Sequence, residues 1–295
     1  MVSIKKKEIS NNTYYYLQHT YRKDGDVHYK EKYLGKTIPK DIDRIKQQFL
    51  IEIYKKLWYK KFNNIKINLQ KEHKKTPPSI QKKKLEQLSI KFTYETNKIE
   101  GSTLTRRETA MLLEHGITPS RRPIEDVKET ELHKKIFYEM INYEHNLTRA
   151  TVLHWHKELF NQTKKDQAGK IRTYDVGISG SKYKPPYAIE LDTLIREFFE
   201  WYHQNKNNLH PVHLAALTHL KFVTIHPFGD GNGRISRLLM NYVLNKNNYP
   251  MLVIDYSKRN SYYTALERSQ LSKDDEPFVL WFFKRYAKEY ENYLH

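Results

Sequence analysis

Most of this chain is patterned for α-helices. Apolar residues recur at helical spacing in successive stretches, and the sequence predicts a helix in each of them. Before residue 226, the predicted helices cover residues 42–62, 79–100, 105–115, 126–144, 149–161, 192–204 and 211–223, and after residue 260 they cover 261–271 and 277–293. Two other stretches, 13–35 and 176–186, have a turn signal between short extended arms, which is typical of β-hairpins. The pattern therefore predicts an all-α fold with two small β-hairpins.

Changes in composition predict three parts. Residues 1–38 are rich in Tyr, Val and Thr around the turn signal Lys23-Asp-Gly-Asp26 and form the N-terminal hairpin region. Residues 39–78 are a helical segment that ends in a charged, proline-containing linker, Lys71-Glu-His-Lys-Lys-Thr-Pro-Pro78. Residues 79–295 form the largest part, and its first helix is expected to have Ser79 as its N-cap.

A net positive charge suggests nucleic acid or an anionic membrane as a partner, but the distribution of the charged residues along the chain favours neither. The 295 residues include 52 Lys and Arg against 34 Asp and Glu, a formal net charge of +18. These positive charges are spread through the chain, so the sequence does not favour specific nucleic-acid binding. The tyrosines near the N-terminus are interpreted as a half-buried sheet face and not as a base-stacking platform.

Other composition features exclude several classes of site. There is no cysteine, which excludes disulfides and thiolate chemistry. The histidines at 154, 156, 210, 213 and 219 lack a full set of zinc ligands and are interpreted as structural or surface residues. The N-terminus has no apolar run of a signal peptide, and the longest apolar run is Phe278–Phe283, so we expect a cytoplasmic protein without a membrane partner.

The candidate chemistry is concentrated in His226-Pro-Phe-Gly-Asp-Gly-Asn-Gly-Arg-Ile-Ser-Arg237. This stretch holds a base, a carboxylate suited to Mg²⁺, a Gly-Asn-Gly segment and two arginines. The apolar residues after Gly233 follow helical spacing, at Ile235, Leu238, Leu239, Tyr242 and Val243. The glycines therefore lie where a helix begins, and free N–H groups make such a position an anion site. The sequence predicts a nucleotide-phosphate site with a base beside it.

The same stretch resembles the signature of the Fic family, His-x-Phe-x-(Asp/Glu)-Gly-Asn-Gly-Arg-x-x-Arg, and matches it at every specified position. The resemblance covers roughly residues 80–290. It implies a Fic-like helical bundle that transfers AMP from ATP to a Ser, Thr or Tyr hydroxyl of a target protein and releases pyrophosphate. The Doc branch, which phosphorylates its target, has Lys where Gly233 stands here, so Gly233 favours nucleotidyl transfer over kinase activity.

The resemblance also implies a role for each site residue. His226 is the general base and Asp230 the ligand of Mg²⁺. The implied nucleotide-binding residues are Phe228, Gly231, Asn232, Gly233, Arg234, Arg237, Asn260 and Tyr263. Phe228 is interpreted more as an anchor of the loop than as a substrate contact. Asn260 and Tyr263 either contact adenosine or belong to an ordinary helix start with a core tyrosine.

The second predicted hairpin resembles the flap of Fic-like proteins, which positions a target segment by strand addition. The implied target-docking residues are Val176, Gly177, Ile178, Ser179, Gly180, Ser181, Lys182 and Tyr183. Taken alone, this stretch is a surface loop.

A second motif resembles the inhibitory motif of the family, (Ser/Thr)-x-x-x-Glu-(Gly/Asn). It is Thr96-Asn-Lys-Ile-Glu-Gly101, at the end of the helix predicted over residues 79–100. The resemblance implies the class with an N-terminal inhibitory helix, in which Glu100 pairs with Arg237 and misplaces ATP. Such a glutamate can also help to remove AMP from the modified protein.

Two alternatives stay open. One is a nucleotide-binding regulatory module without useful turnover, and the other is a Fic-like transferase of another phosphate-containing group. The target protein is unknown from the sequence, and self-modification and a homodimer are both compatible with it.

Overall fold

A computed structural model describes residues 2–23 and 26–294 of the chain. The chain folds into two compact units. One runs to Ile65 and includes the C-terminal segment from Asn292, and the other covers Lys66–Glu291. The predicted division at residues 38 and 78 rests on changes in composition, whereas the two units are defined by packing. That division therefore stays a prediction.

The first unit begins with a three-stranded antiparallel sheet in the order β1-β2-β3. The strands are β1 (Ser3–Ile9), β2 (Asn12–Lys23) and β3 (Asp26–Gly35). β2 and β3 are the arms of the predicted N-terminal hairpin, whose turn residues Asp24 and Gly25 lie outside the described residues. The sequence pattern does not predict β1, because three consecutive lysines hide its alternation. Charged side chains are usual on edge strands, where they oppose pairing with another chain.

Helix α1 (Ile42–Tyr54) packs on one face of this sheet. Leu17 of β2 forms a buried cluster with Phe49 and Ile53 of α1, and each of the three is at most 2% exposed. The spacing of Phe49 and Ile53 places both side chains on one side of the helix. The burial of this apolar cluster holds the small unit together.

A π-helical turn, Lys55–Tyr59, leads from α1 into α2 (Lys60–Lys75). The prediction that a linker starts at Lys71 is therefore wrong, because residues 71–75 continue the helix. Pro77 ends it, since proline restricts the residue before it and has no N–H to donate. Charge alone does not interrupt a helix that has apolar anchors earlier in its length.

The second unit is a helical bundle that confirms the all-α prediction. Its helices are α3 (Pro78–Ile99), α4 (Arg106–His115), α5 (Ile124–Ile141), α6 (Arg149–Phe160), α7 (Leu191–Asn205), α8 (Pro211–Ile225), α9 (Asn232–Lys246), α10 (Arg259–Ser272) and α11 (Glu276–Glu289). α9 packs against α3, α5, α6 and α8, and nearly all of its residues are buried. The loop between α8 and α9 therefore lies on the central element of this unit.

Most predicted helix ends lie close to the observed ones. Pro211 occupies the first turn of α8, and Gly101 follows α3 with a φ of 98°, as the sequence predicts. The predicted N-cap at Ser79 is wrong, because α3 already begins at Pro78. Proline fits the first helical position since its missing N–H has no partner there in any case.

The segment predicted as the second hairpin contains a turn but no paired strands. The Ser181 N–H donates to the Ile178 carbonyl at 3.1 Å and closes the turn. Some backbone groups of the arms are engaged elsewhere or lack an N–H. Pro185 and Pro186 have no N–H, and the Lys182 N–H donates to the Glu267 carboxylate at 2.6 Å.

Buried histidines make this unit sensitive to acid. Burial lowers the pKa of His133 and His213 to about 3 and that of His156 to about 4. The unfolded chain takes up these protons below pH ~6.5 while the folded chain does not, so their contribution to stability is complete above that pH and decreases below it. Each histidine is expected to remove about 1.4 kcal/mol of unfolding free energy per pH unit.

Urea titrations at pH 7, 6 and 5, followed by the fluorescence of the four tryptophans, which include the buried Trp155, measure this loss. We expect the unfolding free energy to fall steeply from pH 6 to pH 5. Equal unfolding free energies at pH 7 and pH 5 would contradict the burial of neutral imidazoles.

Among the described residues, no helix combines the length and the hydropathy that crossing a bilayer requires.

Candidate active site

The loop between α8 and α9 has a defined shape. His226 and Gly231 have left-handed φ values of 52° and 80°, which end α8 and turn the chain into α9. Asn232, the first residue of α9, bonds twice to Phe228 with its side chain. Its Oδ1 accepts from the Phe228 N–H at 2.9 Å, and its Nδ2 donates to the Phe228 carbonyl at 2.8 Å. Asn232 is 2% exposed, so these bonds compete little with water.

His226 has the tautomer of a base. Its Nδ1 lies 3.3 Å from the Val223 carbonyl, which can only accept, so Nδ1 holds the proton and Nε2 keeps its lone pair. Burial lowers the pKa of His226 below its ordinary value, against the opposite effect of the Val223 carbonyl. The imidazole is therefore neutral at pH 7 and can take a proton at Nε2.

Phe228 anchors the loop in the core. It is 1% exposed and stacks on His156 with 3.7 Å between the ring centroids. His156 in turn holds the backbone of the loop. Its Nδ1 accepts from the Gly169 N–H at 2.9 Å, so its Nε2 carries the proton and donates to the Asp230 carbonyl at 3.0 Å.

Asp230 is held by two cations. Its carboxylate lies 2.6 Å from Lys164 Nζ and 3.4 Å from a terminal nitrogen of Arg234. Both cations also contact Glu129, so two carboxylates and two cations alternate. Burial alone would raise the pKa of Asp230, but Arg234 and Lys164 outweigh it and lower that pKa to about 2. Asp230 is thus ionised, and 40% of its side chain is open to solvent.

Both predicted glycines of the loop have close neighbours. A Cβ on Gly231 would lie 2.5 Å from the Phe160 ring. A Cβ on Gly233 would lie 2.2 Å from Glu100 Oε1 and 3.0 Å from Arg237. The backbone of α9 can therefore be approached closely at its first turn, where helical N–H groups have no partner within the helix.

Glu100 lies at that turn. Its Oε1 accepts from a terminal nitrogen of Arg237 at 2.5 Å. Arg237 is 1% exposed, and Thr96 also binds it, with Oγ1 2.6 Å from Nε. Burial alone would lower the pKa of Arg237, but the Glu100 carboxylate reverses this and raises it. The segment that resembles the inhibitory motif therefore contacts the last arginine of the loop motif through two of its residues, Thr96 and Glu100.

Comparison with known proteins identifies this loop. Residues 146–244, which include the loop and most of α9, match the model of the Fic/DOC family. The chain belongs to the Fic/DOC family. Over 205 residues, 68% of the chain, it is 33% identical to the protein adenylyltransferase Fic of Drosophila yakuba. The protein of the same name from Drosophila grimshawi is also 33% identical over 205 residues. The chain covers 41% and 42% of these curated relatives, less than half of their length.

Solved structures of Fic proteins have the same fold. A Fic domain containing signaling protein from Bacteroides thetaiotaomicron superposes with a TM-score of 0.69 at 28% identity, over 78% of this chain and 95% of that one. Fic-1 from C. elegans superposes with a TM-score of 0.62 at 26% identity, over 70% of this chain and 62% of that one. The all-α bundle around α8 and α9 is thus the Fic fold.

The segment that resembles the flap is tied to the Fic loop by Arg172. This side chain is buried and donates to three carbonyl groups, those of His226 at 2.9 Å, Tyr174 at 2.8 Å and Pro186 at 2.7 Å. Tyr174 and Pro186 flank the turn on its two sides. Arg172 therefore sets the position of the two arms of this segment relative to His226.

Asn260 and Tyr263 lie in the first turns of α10. Asn260 is exposed, and Tyr263 is 44% exposed with its hydroxyl 3.3 Å from the Ile99 carbonyl. Ile99 immediately precedes Glu100. Tyr263 is therefore near the site, while its contact with adenosine stays a prediction.

Sequence reasoning missed four residues of this Fic domain: Glu129, Lys164, Arg172 and His156 as a positioning residue. Glu129 reaches Arg234 across 105 positions of the chain, and Lys164 reaches Asp230 across 66. Spacing within one element carries no information about such pairs. A chemical signal existed for Glu129, because the loop motif has two arginines and one carboxylate and leaves a positive charge to be balanced.

Proposed function

We propose that this chain is an autoinhibited, Mg²⁺-dependent protein adenylyltransferase that moves AMP from ATP to a Ser, Thr or Tyr hydroxyl of a target protein. The observation that carries the proposal is the neutral His226, with Nε2 free, on the same short loop as the glycine-lined start of α9. The proposed base and the proposed anion site thereby lie on one short piece of backbone.

The reaction needs one proton transfer and one substitution at phosphorus. His226 Nε2 takes the proton of the target hydroxyl as its oxygen attacks the α-phosphorus of ATP. The bond from the α-phosphorus to the bridging oxygen breaks, pyrophosphate leaves, and AMP stays on the target. This chain's residues contribute mainly orientation and charge, as is general for such transfers.

The start of α9 supports the phosphate-binding part of the proposal. Gly233 has no side chain, so phosphate oxygens can approach the unpaired N–H groups of the first turn. Arg234 and Arg237 lie one turn apart, and their planar guanidinium groups suit phosphate oxygens. Both are almost fully buried, so their charges are little screened by water.

Asp230 would hold the metal. Mg²⁺ prefers octahedral oxygen ligands and is usually held by one or two protein carboxylates together with phosphates and water. Asp230 fits this, since it is ionised, partly exposed and adjacent to the proposed phosphate site. When bound, Mg²⁺ would neutralise phosphate charge and orient the leaving pyrophosphate.

Lys164 is expected to compete with the metal for Asp230. Its ammonium lies 2.6 Å from that carboxylate and 3.0 Å from Glu129, which can retain it when Mg²⁺ takes Asp230. Lys164→Met should therefore tighten Mg²⁺ binding in the presence of a non-hydrolysable ATP analogue about tenfold, equal to about 1.4 kcal/mol.

Calorimetric titration of Mg²⁺ measures this affinity, and Lys165→Met is the matched control because Lys165 is the exposed neighbour. Weaker Mg²⁺ binding in Lys164→Met than in Lys165→Met would show that Lys164 binds phosphate and does not compete with the metal.

The contacts of Glu100 support autoinhibition. Its carboxylate occupies the first turn of α9 and engages Arg237, so it lies where a phosphate would be bound. ATP can then bind only with its phosphates displaced from the productive position. We also propose that the same carboxylate activates water for removal of AMP from a modified target.

ATP labelled at either the α- or the γ-phosphate tests the reaction itself. Protein should acquire label from the α-phosphate only, in the presence of Mg²⁺. Label from the γ-phosphate would indicate a kinase. A variant without Glu100 can also be tested with candidate targets present. If it binds ATP but transfers neither label, the result favours the nucleotide-binding module.

The target, self-modification, a homodimer and the cytoplasmic location remain predictions.

A further inference from the structure

The sheet of the first unit has two unlike faces. Leu17 faces α1 and is fully buried, so its neighbours in β2, Tyr16 and Gln18, point to the opposite face. The strand register pairs Tyr16 with Lys5 of β1 and with Tyr33 of β3. We call this side the outer face, and it comprises the residues that share the orientation of Tyr16.

The outer face is rich in tyrosine. Rings of Tyr14 and Tyr16 contact the ring of Tyr33, with centroids 6.2 and 5.3 Å apart and planes tilted by 51° in both pairs. Tyr29 lies on the same face of β3, opposite Thr20. Tyr29 is 67% exposed and Tyr33 54%. Rings of this size are usually covered by another element that packs on the sheet. Since Tyr29 and Tyr33 are exposed, this face presents aromatic surface to solvent.

Cations surround these rings. Lys7 Nζ lies 4.6 Å from the centroid of Tyr16, and Lys36 Nζ lies 5.8 Å from that of Tyr14. Lys5 and Arg22 are exposed on the same face. Among the described residues of the outer face, Glu31 is the one carboxylate, and Lys7 pairs with it at 2.8 Å. The face is therefore net positive.

The sequence alone favours a half-buried tyrosine face, but Tyr29 and Tyr33 are more than half exposed. For this reason we propose that the outer face binds single-stranded nucleic acid. Exposed tyrosine rings provide flat surfaces on which unpaired bases stack, and the lysines and Arg22 fit the phosphates between them. A duplex shields the faces of its bases, so exposed rings would contribute little to duplex binding. This function is separate from AMP transfer and involves none of the active-site residues.

The test uses the full-length protein and a fluorescein-labelled mixed-sequence strand of about 20 nucleotides, a length that covers the site sizes of known single-strand binders. Fluorescence anisotropy should show binding that is stronger to the strand than to its duplex. If each of the four cations of the outer face, Lys5, Lys7, Arg22 and Lys36, contacts one phosphate, a plot of log association constant against log salt concentration should have a slope of about −3.

Substitutions then locate the site. Tyr29→Ala should weaken binding about tenfold, since base stacking is lost, whereas Tyr29→Phe keeps the ring and should bind like the wild type. Lys5→Glu combined with Arg22→Glu should weaken binding and reduce the salt slope. Tyr187→Ala is the matched control, because Tyr187 is 68% exposed in the other unit.

Four results would overturn the proposal. They are no binding at low salt, equal affinity for strand and duplex, equal loss in Tyr29→Ala and Tyr187→Ala, and binding to vesicles of anionic lipid without binding to the oligonucleotide. Tyr29→Phe and the charge-reversal variant keep the test valid if Tyr29→Ala is misfolded, which circular dichroism would reveal.

Discussion

Glu100→Gly is expected to increase AMP transfer from ATP about a hundredfold. The wild-type carboxylate binds Arg237 at 2.5 Å and lies against Gly233, so the phosphates of ATP cannot occupy the first turn of α9 and contact Arg237 together. A displacement of about 1 Å at a reacting centre costs on the order of 10²-fold in rate. Glycine removes the carboxylate and leaves Arg237 and the helix N-terminus free for ATP.

Transfer of label from α-labelled ATP measures this effect in wild type and variant under identical conditions. Glu144→Gly is the matched control, since Glu144 is an exposed loop residue and its loss should leave transfer at the wild-type rate. An equal rate in Glu100→Gly and wild type would show that the Glu100–Arg237 contact does not inhibit. An increase in both glycine variants would indicate a general loosening of the fold.

His226→Ala, made in the Glu100→Gly background, is expected to decrease AMP transfer by 10²–10⁴-fold, the usual contribution of a positioned general base. The Nε2 lone pair is the acceptor for the proton of the target hydroxyl, and no alanine atom replaces it. Since burial lowers the pKa of His226, the parent variant should keep its activity somewhat below pH 6.5 before the base is protonated.

The affinity for the ATP analogue separates chemistry from structure. It should be unchanged in His226→Ala, because the phosphate-binding groups lie in α9 and not in the histidine. His154→Ala is the control, since the His154 side chain is 54% exposed on α6. A loss of nucleotide binding together with activity would mean that His226 holds the loop and is not the base.

The helices of the second unit could be predicted because their information is local. Apolar spacing, the proline at 211 and the glycine at 101 act within one helical turn of the residues they affect. β1 and the flap could not be predicted in the same way. β1 takes its extended form from pairing with β2, and the flap arms are held by Arg172 and Glu267 from elsewhere in the chain.

The same distinction between local and long-range information applies to the candidate site. The sequence by itself determined the residues proposed as base and metal ligand, the glycines and both arginines, because these lie within residues 226–237 and backbone geometry alone brings them together. Only the tertiary structure decided their charge environment. Glu129, Lys164 and Glu100 reach the loop across 105, 66 and 137 positions, and whether a distant carboxylate meets an arginine depends on how whole helices pack.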